Sequence, residues 1–186
     1  MRKTIFSCFL LICISFSVRA QNKLFTKSGT ISFFSKTSIE KIEAINKKVL
    51  AVIDTANKKI EFSVLIKGFE FEKALMQEHF NEDYLESDKY PKALFKGNFD
   101  EKSLPLVLTE DKIQNLQVNG YLTMHGVTKP LSVIAIFIVK KQVISAATSF
   151  KILLSDYKIK VPSLVANNIS KEILVKINIP SLQQIK

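Results

Sequence analysis

The chain has 186 residues, 47% of them hydrophobic, with 27 Lys+Arg against 17 Asp+Glu and a formal charge of +10. That length fits one domain able to bury a core without metals or disulfides, and the apolar content excludes disorder. The charge points to nucleic acid or membrane only if it is concentrated somewhere, so its distribution decides.

Residues 1–20 read MRKTIFSCFLLICISFSVRA. Arg2 and Lys3 form a basic start, Ile5 to Ile14 is nearly unbroken apolar sequence, and Val18 and Ala20 suit cleavage before Gln21. This is the layout of a secretory signal peptide, with an apolar run short for a membrane span. Residues 21–186 are then expected as a single exported mature domain. Both cysteines, Cys8 and Cys13, lie in the leader. Cys13 follows Leu11 and Ile12 rather than the small residues of a lipid-anchoring site. Loss of Arg2, Lys3 and Arg19 leaves 24 basic against 17 acidic residues, or +7, with every cation a lysine. Seven acids fall between Glu70 and Asp88.

From there the chain reads as short β-rich runs separated by polar turns. Gly29–Ser35, Ile39–Ile45 and Lys48–Asp54 are expected strands. In Lys59–Lys67, Ile60, Phe62, Val64 and Ile66 alternate with polar positions, the period of a half-buried strand. Phe71–Leu85 breaks the pattern: Phe71, Leu75, Met76, Phe80 and Tyr84 follow helical spacing opposite acidic residues, which predicts a helix of about four turns. Ala93–Phe99 is a further strand. Leu116, Val118, Gly120, Leu122 and Met124 alternate again, with Gly120 expected as a bulge or a close backbone approach. After the turn at His125–Lys129, both alternating sets of Leu131–Val139 are apolar, so both faces must be covered, by core packing or by a cavity that takes up an apolar ligand. Val143–Leu154 and Ile173–Ile179 complete an antiparallel meander, a sandwich or a barrel.

Chemistry is sparse. The two histidines are His79, on the acidic helix and spaced i,i+4 from Asp83, and His125, at a strand end. Two ligands do not make a metal site, and general acid–base work needs partners that the sequence does not supply. No catalytic residue, metal or cofactor is assigned. The lysines are scattered, and with no arginine after residue 19 nucleic-acid binding is not expected. Lysines near a cavity mouth suit an anionic head group or peripheral membrane contact. Asn168-Ile169-Ser170 matches a glycosylation sequon, a short pattern of little weight.

Three segments together resemble a known family: His79–Phe99, Ala147–Val161 and above all Val118–Val133. The last carries Gly120, Leu122, Thr123, His125, Gly126, Val127, Thr128, Lys129 and Pro130 in the pattern G-x-L-T-x-H-G-V-T-[KR]-P. With Gly29–Ser35 similar to the opening strand, the chain resembles the YceI-like, polyisoprenoid-binding proteins of bacteria over essentially all of residues 21–186. The resemblance implies a mainly β, lipocalin-like antiparallel barrel of about eight strands with one helix against it. It also implies an apolar channel for an isoprenoid or similar amphipathic lipid, no catalytic residues, and a structural role for the His125 motif. Where many relatives carry an arginine before an aspartate, this chain has Leu153-Leu154-Ser155-Asp156. Any anion contact made by that arginine does not transfer.

The first expectation is an exported carrier of an isoprenoid or other apolar-tailed lipid. Its channel wall is expected at Phe62, Val64, Phe95, Leu122, Ile134, Ile136 and Phe150. The inward face of each strand is not fixed by sequence, since one step of register exchanges the faces. The alternatives are an exported enzyme acting on an amphipathic substrate through His125 or Asp156, and an interaction protein docking a basic partner through Glu70–Asp88.

Overall fold

The computed structural model describes residues 23–100, 109 and 111–185; the expected leader and both cysteines lie outside the described residues. The strands are β1 (Lys23–Lys36), β2 (Lys41–Asp54), β3 (Lys59–Leu65), β4 (Glu70–Phe71), β5 (Lys92–Phe99), β6 (Ile113–Met124), β7 (Val127–Lys140), β8 (Val143–Leu153) and β9 (Glu172–Gln184). Neighbouring strands follow the order β1-β9-β8-β7-β6-β5-β3-β2, and β1 also pairs with β2. All ladders are antiparallel, so eight strands close into a barrel, and the two-residue β4 adds to β2. Closure removes the edges that a sandwich would have kept, except where β7 and β8 part beyond Ile136↔Ala147.

The inward set of each strand is the alternating apolar set. On β6 it is Leu116, Val118 and Leu122, and on β9 it is Ile173, Val175 and Ile179, all buried. The runs expected as two strands, Ile39–Ile45 and Lys48–Asp54, form the single strand β2. Its buried positions are Ala44 and Asn46 before the slip and Val49, Ala51 and Ile53 after it. A bulge opposite Gly29–Ile31 causes the slip, and it exposes Lys47 and Lys48 together, which reads in sequence as a turn. Asn46 is buried at its centre, donating to the Leu65 carbonyl at 2.9 Å and accepting from the Lys48 N–H at 2.9 Å.

Gly120 is a close approach rather than a bulge, because the β5–β6 ladder runs through Gly97↔Gly120 without a shift. A Cβ on Gly120 would stand 2.3 Å from the Lys96 carbonyl oxygen and 2.6 Å from Gly97 Cα. The Phe95 ring lies over both glycines.

The helix α1 covers Ala74–Tyr84, shorter than the expected Phe71–Leu85. Phe71 is taken by β4, and Lys73 is extended at the helix start. From Phe80 onward the winding widens to i→i+5, with the Leu85 N–H donating to the Phe80 carbonyl at 2.9 Å.

Candidate ligand-binding cavity

The barrel interior changes character along its axis. At the end formed by the β2–β3 and β7–β8 turns it is packed solid. Phe137, 1% exposed, meets Phe99 edge to face with ring centroids 5.9 Å apart, and Leu24, Ile53, Leu116 and Leu182 fill the remaining space. Above Phe137 the inward residues Ala93, Ala135 and Ala146 are small. A cavity of about 510 Å³ begins there and runs to the other end, under α1 and the 154–169 segment. Its wall is aliphatic and aromatic from every side of the barrel, including Phe33, Val118, Val133, Phe150 and Ile177.

Four phenylalanines form the wall on the helix side. Phe33 of β1 stacks on Phe80 of α1 at 5.4 Å, while Phe69 and Phe71 stand within 5.0–5.7 Å of that pair. The helix is thereby glued to the barrel through rings that also face the cavity. Tyr84 lines the cavity too, and burial, with the Asp83 carboxylate adding to it, pushes its phenol above the ordinary value.

The polar lining gathers at the rim. Glu40 spans it: its carboxylate meets Lys73 Nζ at 3.2 Å and accepts from Asn168 Nδ2 at 3.3 Å. One side chain thus ties the β1–β2 turn to the start of α1 and to the segment before β9. Ser35 Oγ accepts from the Ser170 N–H at 2.8 Å on the same side. These partners are 33 and 128 residues from Glu40 in sequence, so no local pattern announces them.

The β7–β8 ladder covers only Ile136↔Ala147 to Lys140↔Val143. Beyond it Thr148 Oγ1 donates to the Ile134 carbonyl at 2.8 Å, and the strands part. Leu154, Ile159 and Val161 line the cavity where the ladder has stopped. Pro130 falls in this half of β7, where one side of the strand has no ladder to break.

Of the expected wall residues, Phe62, Val64, Phe95, Leu122 and Phe150 line this one cavity. Phe62 and Phe95 are direct cross-strand partners, as are Phe95 and Leu122. Ile134 and Ile136 do not line it; they stand on the outer surface, 57% and 40% exposed. The correction has a physical reason. Ala135, Phe137 and Val139 are the buried set of β7, and Ile134, Ile136 and Ile138 share their phase with the exposed Lys140. The polar end of that set was the available cue. Phe33, Phe69 and Phe71 were missed as a group because they come from separate elements.

His125 is a structural bridge. It and Gly126 form the two-residue β6–β7 turn with φ of 51° and 71°, the left-handed pair that hairpin twist favours. Its Nδ1 lies 2.9 Å from the Tyr157 carbonyl and its Nε2 3.0 Å from the Glu86 carboxylate. The Tyr90 ring packs edge to face against it at 4.9 Å. Gly126 is required as well, since a Cβ there would stand 2.6 Å from the Tyr90 ring. His79 stands exposed at the rim, 2.7 Å from the Asp83 carboxylate.

The sequence profile of the YceI-like domain matches residues 14–180. No curated protein matches the sequence. Among solved structures, the chain is similar to a polyisoprenoid-binding domain from Saccharophagus degradans implicated in plant cell wall breakdown. That match has a TM-score of 0.76 at 13% identity and covers 89% of this chain and 99% of the other. Burkholderia cenocepacia BcnA matches with a TM-score of 0.66 at 15% identity, over 81% and 94% of the two chains. The Campylobacter jejuni YceI protein matches at 0.55 with 23% identity, over 77% and 84%. The barrel, its helix and a profile match over nearly the whole chain lead to one assignment: this protein belongs to the YceI-like family.

Proposed function

We propose that this protein is an exported, non-catalytic carrier that sequesters the tail of a long-chain isoprenoid or similar amphipathic lipid. One observation carries the reading: a cavity of about 510 Å³ with an almost wholly apolar wall, open at a polar rim. Ligand pockets run to roughly 300–1,000 Å³, so the space suits a ligand rather than a packing fault. Each methylene taken from water contributes about 0.8 kcal/mol. Ten of them supply roughly 8 kcal/mol before the cost of ordering the tail is subtracted. The likeness to a polyisoprenoid-binding domain favours an isoprenoid among apolar tails. Export to the periplasm rests on residues 1–20 and predicts a mature N-terminus at Gln21, read by N-terminal sequencing of the protein recovered from cell fractions.

The test is a lipid extract of the purified protein, analysed by mass spectrometry. A stoichiometric polyisoprenoid is the expected result. At a hundred times its dissociation constant, added polyprenol should stabilise the fold by about 2.7 kcal/mol, seen as a rise in Tm. Repeated extracts without lipid, together with no uptake of added isoprenoids, overturn the reading.

A further inference from the structure

Among the described residues, three of the four most exposed large aliphatic side chains stand around one opening. Leu164 is 96% exposed, Ile39 64% and Leu75 62%; the other, Ile113 at 68%, lies toward the packed end of the barrel. Single exposed leucines need no explanation, but three converging on a cavity mouth do. They come from the β1–β2 turn, the first turn of α1 and the 3-10 turn Ser163–Val165. Glu40 joins those three pieces through Lys73 and Asn168.

Lysines flank each tip: Lys36 and Lys41 beside Ile39, Lys73 beside Leu75, and Lys160 and Lys171 around Leu164, all exposed. The stretch from Tyr157 to Lys171 contains three lysines and no carboxylate. The nearby acids are Glu40 and Glu43, ion-paired with Lys73 and Lys41, and Glu72, Glu78, Glu82 and Asp83 at and along α1, the last paired with His79. Apolar tips among lysines match a surface that offers acyl chains beneath negative head groups.

We propose that the rim formed by Ile39, Leu75 and Leu164 docks the barrel, mouth first, on an anionic lipid bilayer. The proposal rests on the carrier reading and adds to it the route: the tail passes from acyl region to cavity without crossing water.

The chain has no tryptophan, so a single probe reports without background. The Leu164→Trp variant is mixed with vesicles of phosphatidylglycerol and phosphatidylethanolamine, and separately with phosphatidylcholine alone. The expected result is a blue shift and quenching by acyl-brominated lipid with the anionic vesicles, both reduced at high salt. The control Ile113→Trp should show neither. In the double variant Ile39→Ser, Leu164→Ser, vesicle binding should fall at least about tenfold while uptake of dispersed polyprenol is unchanged. Embedding of Ile113→Trp instead, or wild-type protein that stays in the supernatant with anionic vesicles at low salt, overturns the proposal. Self-association lost in the double variant without vesicle binding puts a second copy on the rim and overturns it as well. A cavity that takes up no lipid in a protein that still docks refutes the carrier reading alone.

Discussion

The two ends of this barrel are built from the same strands with the same inward alternation, yet one is solid and the other hollow. At the solid end the inward residues are large and meet one another, as Phe99 and Phe137 do. At the hollow end Ala93, Ala135 and Ala146 stand in the wall, and the bulky rings are held back against α1 or in the wall itself. Alternation therefore decides which side faces in, while side-chain volume decides whether the inside is core or container.

The largest expected effect tests that division. Phe137→Ala should cost about 3–5 kcal/mol in chemical denaturation, because the solid end cannot collapse around the void. Phe62→Ala, at the hollow end, should cost about 1–2 kcal/mol, since its ring already borders empty space. Equal losses would break the comparison. Where the ends meet, Gly120→Ala should cost about 3 kcal/mol or more, since its Cβ strikes backbone that cannot yield.

Smaller effects sharpen the picture of the open end. His125→Ala removes both hydrogen bonds that hold Glu86 and Tyr157 to the β6–β7 turn, and should cost about 1–3 kcal/mol. His125→Asn, which tolerates positive φ, should recover part of it if the turn matters as well as the bridge. The smallest effect is a pH dependence. Burial, with the Asp156 carboxylate adding to it, holds the Tyr157 phenol above its ordinary value of about 10. Below that value both folded and unfolded phenols are protonated and the stability is fully present. As pH rises from there toward the folded value, only the unfolded phenol ionises, and stability falls. Tyr157→Phe should flatten part of that alkaline loss in urea titrations; Tyr84, shifted the same way, accounts for more.

The period-two pattern made most strands legible, and with the His125–Pro130 stretch it made the barrel legible too. Its limits were local. Asn46 carries a buried carboxamide through a bulge, so one strand read as two. In Leu131–Val139 both phases were apolar, and Ile134 and Ile136 were placed on the wrong face. Lys140, in phase with them, was the informative residue. The rim was not legible: Glu40, Lys73 and Asn168 meet only because the fold brings them together.

Closure of the sheet has a kinetic side. The ladder that pairs Leu24 with Gln184 and Phe34 with Leu174 joins the first described strand to the last. Such distant partners make slow-folding topologies. Until β9 docks, β1 and β8 each present a bare strand edge, and those edges are templates for pairing with other chains. The hazard of aggregation is therefore greatest in the folding chain, and it falls when the last described strand is in place.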